Sequence, residues 1–226
     1  MKKEWKIAPK SNAEFVARME DVLSVYLRPY DKQRPVICFD ESSKQQIQET
    51  IDSLPVRPGE PMKFDSEYKR NGVSNLFMIF EPLRGWRHVK VTDSRTAIDF
   101  AYCIEEIVDI HYPDADKIIL VMDNLNTHAE ASLYKAFKPE KAFRIAQKLE
   151  IHYTPKHGSW LNMAEIEFSA LSRQCLNRRI PNQKAIIREI KAWEGVRNES
   201  SVKCKWQFST EDARVKLHKL YPVVES

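Results

Sequence analysis

The sequence predicts an α/β fold, a mixed sheet flanked by helices, and three observations carry that expectation. The run Ile118-Ile119-Leu120-Val121-Met122 is apolar throughout and stops at Asp123, which reads as a strand buried on both faces that presents a carboxylate at the sheet's edge. The run Val36-Ile37-Cys38-Phe39 leads in the same way into Asp40 and Glu41. Between and beyond these runs apolar residues recur at helical spacing, so strands and helices alternate along the chain. Open sheets of this class place their chemistry outside the carboxyl ends of strands.

Ser11-Asn12-Ala13-Glu14 has capping-box spacing, and Phe15, Met19, Val22, Leu23 and Tyr26 follow on one helical face, with closure near Pro29. After the strand ending at Asp40, residues 42–61 are rich in polar side chains and contain Pro55, Pro58 and Pro61, which predicts an exposed surface flap. Leu76 to Phe80 and Trp86 to Val91, joined by Pro82-Leu83-Arg84-Gly85, form a hairpin pattern. Asp93-Ser94 is placed to cap a helix carrying Ile98, Ala101, Ile104 and Val108. Beyond the central strand, Ala131–Phe137 and Glu140–Leu149 read as helices parted by Pro139, and Glu150–Thr154 as a short strand ended by Pro155. Trp160–Leu176 is a helix pattern with Leu161, Ala164, Phe168, Leu171 and Cys175 inward and Trp160 as a core anchor. Further helices follow Asn182 and Ser209.

Length and charge bound the function. The chain has 226 residues, 42% of them hydrophobic, enough for a full core in one generous domain. Its 36 Lys+Arg against 32 Asp+Glu give a net charge of +4, which permits nucleic-acid binding without demanding it. No apolar stretch approaches the roughly 18 residues that span a bilayer, and Met1-Lys2-Lys3-Glu4-Trp5-Lys6 has no apolar signal region. A soluble, cytoplasmic protein without membrane partners is expected. Cys38, Cys103, Cys175 and Cys204 lie far apart, which argues for reduced thiols and against a zinc knuckle.

The chemistry-bearing residues are carboxylates. Asp40 and Asp123 end strands, and Glu165 lies in the first turns of a helix; three carboxylates converging on one point repel each other, and divalent cations relieve that repulsion. Strand-end aspartates also cap turns, so spacing alone leaves both readings open. Glu167 rivals Glu165, since two positions on a helix differ by about 200° and only one can face the sheet edge. Periodicity favours Glu165, with Leu161 and Phe168 at its i−4 and i+3 positions. Asn162, one turn before Glu165, and His128, just past the central strand, are supporting candidates, although a histidine so placed is more often a surface or capping residue. Lys69, Arg70, Arg84, Arg87, Lys156, His157, Arg173, Arg178 and Arg179 are candidate DNA contacts.

Three blocks point to a family: Asp40 after Val-Ile-Cys-Phe, the block Val121-Met122-Asp123-Asn124-Leu125-Asn126-Thr127-His128, and Tyr153-Thr154-Pro155-Lys156-His157-Gly158-Ser159-Trp160-Leu161-Asn162-Met163-Ala164-Glu165. From about Asp40 to Tyr221-Pro222 the chain resembles bacterial insertion-sequence transposases of the insertion-sequence six-thirty family, relatives of the mariner elements with an Asp-Asp-Glu catalytic domain. The resemblance implies a ribonuclease-H-like fold over 31–226, preceded by a lead-in helix and linker over 1–30. It implies that Asp40, Asp123 and Glu165 are catalytic and bind Mg²⁺, for which Mn²⁺ can substitute. It also implies cut-and-paste transposition: hydrolysis at the element's ends and attack of the freed 3′-hydroxyl on target DNA. The implied partners are double-stranded DNA, both transposon ends and target, and a second copy of the chain. Such transposases usually carry an N-terminal helix-turn-helix region, and only about 39 residues precede Asp40. A separate DNA-reading chain or a missing N-terminal region is the expectation, and a catalytically silent DNA-binding or dimerising remnant is the alternative to an active enzyme.

Overall fold

The computed structural model describes residues 12–50, 59 and 67–222. A five-stranded sheet forms its centre: β1 (Val36–Glu49), β2 (Tyr68–Glu81), β3 (Trp86–Thr92), β4 (Ile118–Met122) and β5 (Leu149–Tyr153), in the order β3-β2-β1-β4-β5. The β1–β2 and β2–β3 pairs are antiparallel, while β1–β4 and β4–β5 are parallel, so the sheet is mixed as expected. β4 is buried along its whole length, as its unbroken apolar run requires.

Each face of the sheet carries its own core. Against one pack α2 (Ala97–Glu106), α3 (Ala131–Ala136) and α4 (Pro139–Gln147), enclosing Ile37, Phe39, Phe77, Phe100, Leu120 and Ile145. Against the other lie α1 (Ala13–Tyr26), α5 (Met163–Leu171), α6 (Gln183–Glu199) and α7 (Thr210–Lys216), enclosing Met19, Leu23, Cys38, Val121, Ala164 and Ile190. α1 buries Phe15, Met19, Val22, Leu23 and Val25 in this second core. No helix among the described residues is long and apolar enough to cross a membrane.

Several local expectations change. The segment 42–61 is no flap along its first part, because β1 continues through Glu49 and pairs with β2 to Tyr68; residues 51–58, 60 and 61 lie outside those described. The polar residues of this stretch hold a strand because their partners are polar too: Ser43 Oγ donates to Asn75 Oδ1 at 2.8 Å, and Gln46 Nε2 to Ser74 Oγ at 3.0 Å. α1 is capped by Asn12, whose side chain accepts from the Phe15 amide, while Ser11 lies outside the described residues. α2 is capped by Thr96 in a capping box with Asp99, three residues later than Asp93, and Ile98 faces solvent. Pro139 opens α4 at its first turn. The loop between β2 and β3 turns at Gly85, whose φ is +74°; a Cβ there would stand 2.6 Å from the Ser201 backbone carbonyl, so the sharp turn requires glycine.

Candidate active site

The parallel pairing of β1 with β4 sets the geometry. Cys38 stands opposite Val121, and Asp40 and Asp123 each lie two residues further along, side by side on neighbouring strands. Asp123 follows the end of β4 as expected, whereas Asp40 does not end its strand, because β1 runs on to Glu49 in its pairing with β2. Asp40 is only 9% exposed, and the Glu41 backbone N–H donates to its Oδ1 at 2.7 Å. Burial raises the Asp40 carboxyl to about 7; the Glu41 amide opposes this, and the negative charges of Glu165 and Asp123 add to it. The charges of Asp123 and Glu165 are thus felt at Asp40, although among the described residues the three carboxylates do not gather their oxygens within 4.8 Å of one another.

α5 is held over Asp40 by its own cap. Asn162 is buried; its Oδ1 accepts from the Ala164 amide, and its Nδ2 donates to the Phe39 carbonyl at 2.9 Å and lies 3.4 Å from Asp40 Oδ2. One side chain thus starts the helix and ties it to β1, so Asn162 positions the site with its polar atoms already engaged. Tyr26 reinforces the junction by donating its hydroxyl to the Leu161 carbonyl at 2.7 Å. On the first turn of α5, Glu165 is exposed.

Glu167 has a different job. It is 3% exposed, and Arg197 grips it with Nε on Oε1 at 2.7 Å and Nη2 on Oε2 at 3.0 Å. Arg87 Nε lies 3.0 Å from the same Oε1. This cluster joins β3, α5 and α6, and it removes Arg87, which is fully buried, from the candidate DNA contacts.

His128 is buried, not the surface or capping residue its position suggests. Nδ1 meets Asp123 Oδ1, Nε2 meets Glu41 Oε2 at 2.7 Å, and the ring stacks on Phe100 with centroids 4.9 Å apart. Burial disfavours its charge, but the bonds to Asp123 and Glu41 outweigh burial and raise its pKa to about 9. An imidazolium between two carboxylates offsets part of the site's negative charge. Sequence reasoning assigned nothing to Glu41; its place directly after Asp40 turns it to the opposite face, where it meets His128.

Among the remaining basic candidates, Arg84 lies 3.5 Å from Glu81 and Arg173 is exposed just after α5, and the other six separate into two groups. Lys156 and His157 are exposed on the loop after β5, beside the site, with His157 at φ +65°. Lys69 and Arg70 are exposed at the far end of β2, opposite Gln48 and Ile47, nine and eight strand positions, or about 26–30 Å, from the level of Asp40. Arg179 lies there too, paired with Glu49 at 2.6 Å, while Arg178 pairs with Glu189. Trp160 is no core anchor: it is 38% exposed and stacks on Trp206.

A family model described as "DDE superfamily endonuclease" matches residues 35–187. The ribonuclease-H-like fold recurs in solved structures of Mos1 transposase. One is a paired-end complex with left transposon end, with a TM-score of 0.58 at 13% identity, covering 89% of this chain and 62% of that one. Another is the mariner Mos1 paired end complex with Mg, with a TM-score of 0.57 at 14% identity, covering 99% and 68%. A third is the Mos1 Strand Transfer Complex, with a TM-score of 0.56 at 13% identity, covering 97% and 62%. This chain thus spans somewhat less than two thirds of the first of these chains. No curated protein matches it.

Proposed function

The chain belongs to the DDE superfamily of endonucleases, and from that premise we propose that it is the catalytic domain of a DNA transposase, cutting strands at the ends of a mobile element and joining them to target DNA. One observation carries the reading: Asp40 on β1 and Asp123 just past β4 stand at the same level of adjacent parallel strands, and α5, whose first turn holds Glu165, is tied to β1 at Asp40 through Asn162. Mutual repulsion among these groups, at a buried aspartate, is what a bound cation relieves.

In this reading Asp40, Asp123 and Glu165 hold Mg²⁺, with Mn²⁺ as a substitute, because an all-oxygen donor set suits hard cations. When bound, such ions activate the attacking oxygen and stabilise the leaving oxygen of a phosphodiester. The chain's own residues do the rest. His128 fixes Asp123 through one carboxylate oxygen, leaving the other with no partner among the described residues. Asn162 keeps the first turn of α5, and Glu165 with it, against β1 at Asp40. Lys156 and His157 bind DNA phosphates beside the cut, and Lys69, Arg70, Arg178 and Arg179 bind about one duplex turn away. Arg178 and Arg179 then exchange Glu189 and Glu49 for phosphate.

The finer assignment is to the insertion-sequence six-thirty group, in a bacterial cytoplasm, with two copies of the chain pairing the transposon ends and a helix-turn-helix region in the same or another chain reading them. The fold neighbours solved as paired-end complexes support double-stranded DNA as the partner. The test is nicking of labelled DNA with Mg²⁺ or Mn²⁺ by wild type and Asp123→Ala. Nicking by wild type alone is the expected result; two inert proteins that still bind DNA would make the chain a silent remnant.

A further inference from the structure

Away from the carboxylate pocket, three ligand-type side chains converge at the edge of the sheet. His88 stands on β3, Glu106 closes α2, and His111 ends the π-helical turn Ile107–His111 that continues α2. His88 Nε2 lies 3.1 Å from Glu106 Oε1, and His111 Nε2 lies 3.4 Å from the same oxygen. All three ligand atoms fall within 4.8 Å of one another, the one such group of His, Cys, Asp and Glu side chains among the described residues. Ligands about 2.0–2.1 Å from a tetrahedral zinc stand about 3.3–3.4 Å apart, so the observed spacings already approach the edges of that tetrahedron.

The backbone is bent to make this meeting. Residues five apart on a regular α-helix differ by about 140° in direction, which would point Glu106 and His111 apart. The π-turn, closed by the Tyr112 amide on the Ile107 carbonyl at 2.9 Å, inserts the extra residue that brings His111 round. His111 Nε2 is buried yet makes no hydrogen bond: its distance to Glu106 suits an ion pair, but its direction does not suit a proton. Such orphaned nitrogens are rare, and a cation shared with Glu106 would satisfy this one.

The surroundings resemble an outer shell. His88 Nδ1 faces Glu194 Oε1 at 3.5 Å, the carboxylate-behind-histidine arrangement that orients a metal-binding imidazole. Lys90 Nζ sits 2.8 Å from Glu106 Oε2, leaving Oε1 to the histidines. Trp86 packs its ring 4.8 Å from that of His111 and shields one side.

We propose that His88, Glu106 and His111 form a second metal site, specific for a borderline transition-metal ion such as Zn²⁺ and separate from the hard-cation pocket at Asp40. Two imidazoles and one carboxylate are a zinc donor set, not a magnesium one. The ion clamps edge strand β3 to the end of α2. Both elements lead to the active site from outside it: β3 carries Arg87, which holds Glu167 on α5, and α2 carries Phe100, on which His128 stacks.

Titration of the whole chain with Co²⁺ alone, followed by Zn²⁺ alone, tests this. One equivalent of Co²⁺ should give the intense visible absorption of a four-coordinate nitrogen–oxygen site, removed by one equivalent of Zn²⁺ and untouched by excess Mg²⁺. His111→Gln and Glu106→Gln should each weaken Zn²⁺ binding beyond the roughly 10–100-fold of an outer-shell change, and Asp40→Asn should leave it unaltered. A weak octahedral cobalt spectrum, or unaltered binding in either glutamine variant, would overturn the proposal. Should one variant fail to fold, the other and the wild-type spectrum decide it.

Discussion

Asp40→Asn should make the metal-free protein more stable while abolishing its response to metal. Asp40 titrates near 7 in the fold against an ordinary 3.8. That difference of about 3 pH units, at about 1.36 kcal/mol each, amounts to about 4 kcal/mol. The sign follows from the direction of the shift. A carboxyl raised on folding contributes fully below 3.8, and that contribution is lost as pH rises to about 7, so the ionised carboxylate burdens the fold at neutral pH. Asparagine carries no charge, but it turns an amide toward Asn162 Nδ2, a mismatch worth about 1 kcal/mol. The net gain is about 2–3 kcal/mol above pH 7, or about 4–12 °C in Tm for a chain of this size, shrinking toward zero near pH 4. Thermal melts in chelator across pH 4–8 read this directly, and adding Mn²⁺ should then raise the Tm of wild type but not of the variant. A variant that is less stable than wild type at pH 8 would refute the picture of a buried Asp40 carboxylate whose charge is incompletely compensated.

Other outcomes follow from the same geometry. Glu167→Gln should cost about 3–5 kcal/mol in urea melts, because Arg87 is left buried without its counter-charge, whereas Glu165→Gln should leave stability within about 0.5 kcal/mol and remove nicking. Equal stability losses in the two would contradict the separate roles of these glutamates. His128→Gln should flatten the pH dependence of stability between 6.5 and about 9, since the raised histidine contributes fully below 6.5 and loses that contribution as it deprotonates near 9; melts of both proteins over that range check it. Gly85→Ala should destabilise by about 1–3 kcal/mol through its positive φ and the Ser201 backbone, and an unchanged urea midpoint would show that the turn can relax.

The central architecture was legible because its signals were local and strong. Five apolar residues ending in an aspartate, at Ile118–Met122 and Asp123, have few other structures to adopt, and the two aspartates meet because both strands run in the same direction. Helix starts at Asn182 and Ser209 were legible for the same reason, each carrying its cap in sequence. The polar half of β1 was hidden, because Ser43 and Gln46 are strand residues only by virtue of Asn75 and Ser74 more than twenty positions away. Long-range charge pairing was equally invisible: nothing near Arg87 in the chain announces Glu167 and Arg197, so a buried arginine looked like a DNA contact. Glu106 and His111 sit at a spacing that a regular helix would separate, and only the π-turn makes them neighbours.

The shared pocket is tested most directly by crystals soaked in Mn²⁺ and measured for anomalous scattering. The account predicts a peak bounded by Asp40 and Asp123 with Glu165 above it, absent from Asp123→Ala crystals. Density for manganese elsewhere, with none between those two aspartates at saturating metal, would contradict it.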